Sequence, residues 1–271
     1  MQDKQKRLRQ YVKELKTVAV AFSGGIDSVF LLKTAHEVLG DGVMAITAVF
    51  HSFPQKELEE AESFCKKEGI RQRICRVNEL ELENFCQNPP NRCYICKKAF
   101  LQKIKEMAAE EGIVNVAEGS NMDDCQDYRP GMAAVSELKI LSPLRELGLY
   151  KSEIRQLSKQ MGLSAWEKPS SACLASRFAY GEQITEEKLR MVEQAEQLLS
   201  RKGFGQFRVR IHGRIARIEV LPEEFAKLFE EELRQELVDQ LKSYGFTYVS
   251  MDLEGYRTGS MNEALSKGQE E

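Results

Sequence analysis

A short string near the N-terminus carries the most legible chemistry in the chain. Ser23-Gly24-Gly25-Ile26-Asp27-Ser28 follows an apolar run at 17–22 that predicts a buried strand, and it precedes a helical pattern at 29–39. Two adjacent glycines permit a tight turn and leave backbone N–H groups uncovered. Those donors, with the positive end of the helix that follows, make an anion site suited to pyrophosphate. Ser23 and Ser28 add hydroxyl donors, and Asp27 is placed to hold a magnesium ion against bound phosphates. No Gly-Lys-Ser/Thr follows, so the loop is not of the Walker A kind.

Thiols and guanidiniums supply the second group of candidates. The chain has seven cysteines, an odd number. The N-terminal segment MQDKQKRLRQYVKELK is charged and reads as an amphipathic helix, with no apolar region of a secretory signal. The expectation is therefore a cytoplasmic protein whose cysteines are reduced thiols, metal ligands or catalytic groups rather than a disulfide framework. Cys93 and Cys96 stand in C-x-x-C spacing at the start of a helical stretch. From spacing alone they read as zinc ligands, a redox pair or chance. Cys173 lies in Lys168-Pro169-Ser170-Ser171-Ala172-Cys173-Leu174-Ala175-Ser176-Arg177, among small residues that suit a closely approached loop. Arg177, four residues on, would favour the reactive thiolate, although a lone cysteine is commonly a small buried hydrophobe. Cys65, Cys75, Cys86 and Cys125 lack paired spacing and read as structural. Arg208 and Arg210 alternate along a predicted strand, so they share a face and suit a phosphate; the alternative is an edge strand guarded by charge. Glu196 and Glu219 are possible metal or general-base groups that nothing local separates from surface acids.

These residues need elements to position them. Strand patterns at 17–22, 43–50, 70–77 and 114–117 alternate with helical patterns at 29–39, 56–68 and 94–111, and 139–142 reads as a last strand before a helix at 151–161. That alternation predicts an α/β fold, a parallel sheet with helices on both faces, over residues 1–165. Residues 166–184 read as a linker carrying the Cys173 segment. A smaller C-terminal α+β domain is expected over 185–263. Its elements are a helix at 186–201, two strands at 205–211 and 215–220 joined by a His212-Gly213-Arg214 turn, a helix at 222–244 and a strand at 246–253. The tail 264–271 is expected to be disordered. With 271 residues and 42% hydrophobic composition, the chain can bury a sizeable core, and length alone allows one large domain or two smaller ones.

Charge narrows the partners. The 39 basic and 42 acidic side chains nearly balance, and no basic stripe argues for a nucleic-acid footprint. No apolar run approaches the ~18–20 residues that span a bilayer.

The string Ser23–Ser28 after a buried strand resembles the signature of the PP-loop ATP pyrophosphatases. Members of that superfamily split ATP into AMP and pyrophosphate and activate a substrate oxygen with the AMP. Glu118-Gly119-Ser120-Asn121-Met122-Asp123-Asp124 is similar to their second nucleotide-side loop, which makes Asn121 a nucleotide contact. Ser142-Pro143-Leu144-Arg145-Glu146-Leu147, with Lys151 and Glu153-Ile154-Arg155, resembles a further stretch of the same superfamily, in which Arg145 or Lys151 would neutralise phosphate or carboxylate charge. The string PSSACLASR, with Trp166 before it and Phe178-Ala179-Tyr180-Gly181 after it, looks like the signature of the LarE sulfur transferases, and the similarity covers nearly the whole chain.

That resemblance implies ATP and magnesium as cofactors and pyridinium-3,5-biscarboxylic acid mononucleotide as substrate. The thiolated product goes on to the nickel-pincer cofactor of lactate racemase. In one branch of the family, the cysteine matching Cys173 gives up its own sulfur and becomes dehydroalanine. In another, three cysteines hold a [4Fe-4S] cluster with an added sulfide, a set that Cys93, Cys96 and Cys173 match. The resemblance also implies a homo-oligomer working with other lactate racemase maturation proteins, Arg177 beside substrate or AMP, and Arg208 and Arg210 on the substrate phosphate. Three rivals remain at this level: a tRNA thiolation enzyme, an amide-forming synthetase of the NAD synthetase kind, and a non-catalytic carrier of iron–sulfur or nickel.

Overall fold

A computed structural model describes residues 1–126, 130–167, 172–257 and 259–262. The chain forms two compact units. One holds residues 1–79 and 91–171, the other residues 80–90 and 172–271.

The first unit is built on a parallel sheet. Its strands are β1 (Val18–Ala21), β2 (Val43–Val49), β3 (Arg71–Arg76) and β4 (Val116–Ala117), in the order β3-β2-β1-β4. Its helices are α1 (Gln2–Leu15), α2 (Ile26–Leu39), α3 (Gln55–Glu68), α4 (Arg92–Glu110), α5 (Gly131–Glu137), α6 (Pro143–Glu146) and α7 (Lys151–Gln160). Alternation along β1 shows why both faces are covered. Val18 and Val20 pack with Leu8 and Val12 of α1, Leu31 of α2, Ala61 of α3 and Leu157 of α7. Ala19 turns the other way, into a cluster with Leu101 and Ile104 of α4 and Val135 of α5. The chain winds outward from β1 through β2 to β3 and then jumps back to β4 on β1's far side. The strand order reverses between β1 and β4, and the carboxyl ends of strands at such a switch point are where doubly wound sheets bind ligands.

Several details differ from the sequence expectation. The last strand expected at 139–142 is reduced to one bridge, Leu141 beside Ala117, because Pro143 opens α6 directly after it. Helix α5 carries no periodic signal long enough to read.

The second unit holds α8 (Glu186–Arg201), β5 (Phe207–His212), β6 (Ile215–Val220), α9 (Phe225–Leu228), α10 (Glu231–Ser243) and β7 (Tyr248–Met251). Its sheet has the order β5-β6-β7, with β5 antiparallel and β7 parallel to β6. The helix expected at 222–244 breaks at Phe229 and Glu230, where Glu230 leaves the helical region with ψ 125. Residues 80–90 join this unit through Asn88. Its side-chain amide donates to the Ala179 carbonyl at 2.6 Å, and its own carbonyl accepts from Gly181 N at 3.0 Å. The expected tail 264–271 lies outside the described residues.

Candidate active site

The loop after β1 is shaped by its own hydroxyls. Gly24 has φ +73, a left-handed conformation that glycine adopts without steric cost. Gly25 is the N-cap of α2 and offers no side-chain cap, so an anion can take that place. Ser28 Oγ donates to Gly25 O at 2.9 Å and lies 3.2 Å from Ser23 Oγ. Two hydroxyls are thus gathered at the start of a 14-residue helix.

Asp27 stands at the centre of the charges. Its Oδ2 accepts from Lys151 Nζ at 2.6 Å, while its Oδ1 is buried without a hydrogen-bond partner. Burial pushes its carboxyl above the usual range and the Asp124 charge adds to this, while Lys151 and the Asn121 side chain pull it back only in part. A buried, orphaned carboxylate oxygen beside a phosphate-shaped loop fits magnesium, which takes one or two carboxylates plus phosphate oxygens. Lys151 therefore reaches the loop. Arg145, expected to share that role, is half-exposed on α6.

The second loop touches the first at one residue. A Cβ built on Gly119 would lie 2.9 Å from Ser28 N and 3.1 Å from the Asp27 carbonyl carbon. Only glycine lets the two backbones meet. Beneath this contact Glu118 is buried, accepting from Lys97 Nζ at 3.0 Å and from the hydroxyls of Ser120 and Ser142 at 2.7 Å each. Burial works against its charge, but Lys97 and the hydroxyls prevail and hold its carboxyl below the ordinary range. Asn121 N–H donates to Asp124 and Asn121 Oδ1 accepts from Asp123 N, both at 2.9 Å, which folds residues 121–124 into a compact turn. Gly119→Ala is expected to weaken ATP binding about tenfold, since an overpacked contact costs roughly 1–3 kcal/mol. Nucleotide titration beside a thermal melt checks this; unchanged affinity would mean the loops are not coupled.

The seven cysteines are all outside disulfides. Cys65 and Cys75 are buried, in keeping with a structural role, while Cys125 is exposed at the second loop. Cys93 and Cys96 occupy the first turn of α4, three residues apart and so on one helix face. Cys173 is exposed and caps a one-turn helix, Leu174–Arg177.

Arg177 acts on this segment through the backbone. It is 3% exposed and forms a two-pronged ion pair with Glu196 of α8 at 2.8 and 2.7 Å. Its remaining head donates to Ala172 O at 2.8 Å, Cys173 O at 3.2 Å and Ser176 Oγ at 2.8 Å. The guanidinium thus ties the cysteine's backbone to α8. Arg210 is similarly enclosed: it pairs with the fully buried Glu219 at 3.0 Å through two nitrogens and donates to Ser176 O at 3.0 Å. Glu196 and Glu219, indistinct in the sequence, are the counter-ions of these two arginines. The hairpin register could have signalled the second pair, because Arg208 opposes Glu219 and Arg210 opposes Arg217, all on one face. Arg208 is different. Burial pulls its guanidinium below the ordinary value, nearby Arg177 pulls further, and Glu196 only partly offsets them. It lies over the Tyr256 ring at 5.3 Å. Its Nη1 donates to the Phe207 carbonyl at 2.6 Å.

No protein-family model matches the chain. The chain is 43% identical over 267 residues to an uncharacterised protein of Synechocystis sp., covering 98% of this chain and all of the other. It is 39% identical over 260 residues to the pyridinium-3,5-bisthiocarboxylic acid mononucleotide synthase of Lactiplantibacillus plantarum, covering 95% of this chain and 93% of that one. The chain belongs to the LarE family. A more distant similarity, 24% identity over 207 residues, is to a component of the glutamine-hydrolysing GMP synthase of Methanococcus vannielii, covering 71% of this chain and 66% of that protein. The LarE loop after β1 is accordingly that of a PP-loop, ATP-dependent enzyme. No helix among the described residues is long and apolar enough to cross a membrane.

Proposed function

We propose that the chain adenylates pyridinium-3,5-biscarboxylic acid mononucleotide with ATP and then replaces the activated carboxyl oxygen with sulfur, toward the nickel-pincer cofactor of lactate racemase. The observation that carries this reading is family membership, combined with a two-loop phosphate site around Asp27 and an exposed thiol, Cys173, on a braced turn. A carboxylate is a poor electrophile because its leaving group is poor. Attack of a carboxylate oxygen on the α-phosphorus of ATP breaks the α–β bridge, releases pyrophosphate and turns that oxygen into part of an AMP leaving group. Ser23, Gly24, Gly25 and Ser28 bind the triphosphate, Asn121 shapes the nucleotide side, and Asp27 would hold magnesium. Magnesium, when bound, supplies charge neutralisation at the phosphates. Lys151 orients Asp27, and Arg145 would meet further phosphate charge.

The Cys173 thiolate then attacks the acyl carbon and AMP departs, leaving a thioester to the protein. Loss of the Cys173 Cα proton drives the Cβ–S electrons onto sulfur, giving the thiocarboxylate and dehydroalanine at position 173. Arg177 keeps the Cys173 backbone in place for this attack. Arg208, backed by Arg210, takes the substrate phosphate. Arg208→Ala is expected to raise KM for the mononucleotide about tenfold to a hundredfold, as for a lost charged hydrogen bond of roughly 1.5–3 kcal/mol, and to leave KM for ATP unchanged. Equal effects on both substrates would contradict the assignment.

A second route is favoured by the placement of Cys93 and Cys96 one turn apart on α4. With Cys173 they make three thiolates, the number that holds a [4Fe-4S] cubane with one iron open. Both routes start from the same adenylated carboxylate: Cys173 gives up its own sulfur, or Cys93, Cys96 and Cys173 hold a cluster that presents an added sulfide. Intact mass of anaerobically purified protein, before and after reaction, separates the routes. Product with loss of one hydrogen sulfide equivalent supports the sacrificial route. Product with the polypeptide unchanged makes Cys173 a ligand or relay, and iron analysis of Cys93, Cys96 and Cys173 variants would follow. A homo-oligomer and contact with other lactate racemase maturation proteins belong to the same proposal.

A further inference from the structure

We infer that Asp123 is the positioning residue for Lys151: it pins the backbone from which the Lys151 ammonium reaches the phosphate loop, and so sets the affinity for the phosphates beyond the first. The inference deepens the proposed function and rests on its placing of the triphosphate at residues 23–28. Lys151 opens α7, and its Nζ donates to Asp27 Oδ2 at 2.6 Å. Asp27 lies in the first turn of α2, so that ammonium stands beside the phosphate loop. An ammonium has three donors, and Asp27 is the partner of this one among the described residues, so an anion can take the others. The stem of a lysine is flexible, so the place of its ammonium depends on where its backbone is held. Asp123 Oδ2 accepts from Lys151 N at 2.6 Å, and the Asp123 N–H is itself held by Asn121 Oδ1 at 2.9 Å. Next to it, Met122 N donates to Leu149 O at 2.9 Å. These bonds stitch the second loop to the start of α7. From α1, Lys4 Nζ donates to Gly148 O and to Glu153, each at 2.7 Å. Helix capping alone does not require Asp123, because α7 carries its own cap: Glu153 in its first turn accepts from Tyr150 N at 3.0 Å. What Asp123 adds is register. Gly119 brings the second loop onto the backbone of Asp27 and Ser28, so a residue fastened to the second loop is fixed relative to the first.

The probe is an ATP analogue whose α–β bridge is a methylene group, titrated with magnesium into the full chain by calorimetry. AMP, which carries no phosphate beyond the first, is the control. Asp123 is exposed, so its replacement empties no core. Asp123→Ala is expected to weaken the analogue about tenfold and to leave AMP within about twofold of wild type. Asp123→Asn keeps an acceptor for Lys151 N–H and should bind the analogue within about threefold of wild type. Lys151→Met should lose at least as much as Asp123→Ala, and the paired variant no more than Lys151→Met, since Asp123 acts through that side chain. Losses that add in the paired variant would overturn the inference and give Asp123 a role of its own. Equal loss of AMP and analogue in Asp123→Ala would overturn it by reducing Asp123 to a structural cap. Asp123→Asn as weak as Asp123→Ala, or Asp123→Ala as tight as wild type, would overturn it as well. No analogue binding by the wild-type chain would sink both this inference and the triphosphate site it rests on. The readout uses no carboxylated substrate. A chain that shows the expected pattern yet forms no thiolated product would refute the proposed function and leave this inference standing.

Discussion

Cys173→Ser is expected to abolish thiolated product, by at least about a thousandfold, while pyrophosphate release on the first turnover stays within about threefold of wild type. The separation follows from which residues serve which step. Adenylation uses Ser23, Gly24, Gly25, Asp27 and Ser28, all in the first unit, whereas Cys173 belongs to the second. Serine preserves size and the backbone acceptor that Arg177 holds at 3.2 Å, so the turn at 174–177 remains braced. It lacks the sulfur, and a serine ester that eliminated would return the carboxylate rather than a thiocarboxylate. Rapid-quench measurement of pyrophosphate alongside chromatography of the product checks both halves. Thiolated product from the serine variant would remove Cys173 from the sulfur path. Loss of pyrophosphate release would place the thiol in adenylation, which the proposal does not require.

The second large effect concerns stability. Glu219→Ala is expected to cost the second unit about 3–5 kcal/mol, the usual range for removing one partner of a buried ion pair. Glu219 is fully buried and accepts from Arg210 at 3.0 Å twice, from Arg217 at 3.2 Å and from Ser260 at 3.2 Å. Its loss leaves Arg210, itself 5% exposed, without its counter-ion. Replacing both partners, Arg210→Met with Glu219→Leu, should recover much of the loss, because the desolvated charge is then gone as well. Urea unfolding of the single and paired variants measures this. A loss below about 1 kcal/mol in Glu219→Ala would mean Arg217 and solvent compensate, and the pair would not be a fastening of the sheet.

The parts of this molecule that were legible in the sequence are those set by local pattern. The Gly24-Gly25 turn, the strand before it and the helix after it follow from residue types alone, and the four parallel strands were visible as alternating apolar runs. Contacts between distant residues were not. Lys151 reaches Asp27 across 124 positions, and nothing around either residue announces the pairing. Residues 80–90 carry no local signal of where they belong, which the bonds of Asn88 to Ala179 and Gly181 and of Cys86 O to Ile184 N reveal. Helix α5 escaped notice because seven residues give too short a period. Spacing alone makes Arg177 an activating neighbour of the thiol. Its burial against Glu196 depends on α8, and sequence spacing from Cys173 could not convey that. Residues 168–171, part of the string that carried the family resemblance, lie outside the described residues.

The central claim is that a substrate carboxyl oxygen is activated by AMP before sulfur enters. Substrate labelled with heavy oxygen in both carboxyl groups, incubated with ATP and magnesium, tests it directly by mass spectrometry of the released nucleotide. The account predicts AMP carrying one labelled phosphate oxygen for each carboxyl converted to thiocarboxylate, with pyrophosphate in equal amount. Unlabelled AMP, or ADP in its place, formed together with thiolated product would contradict it.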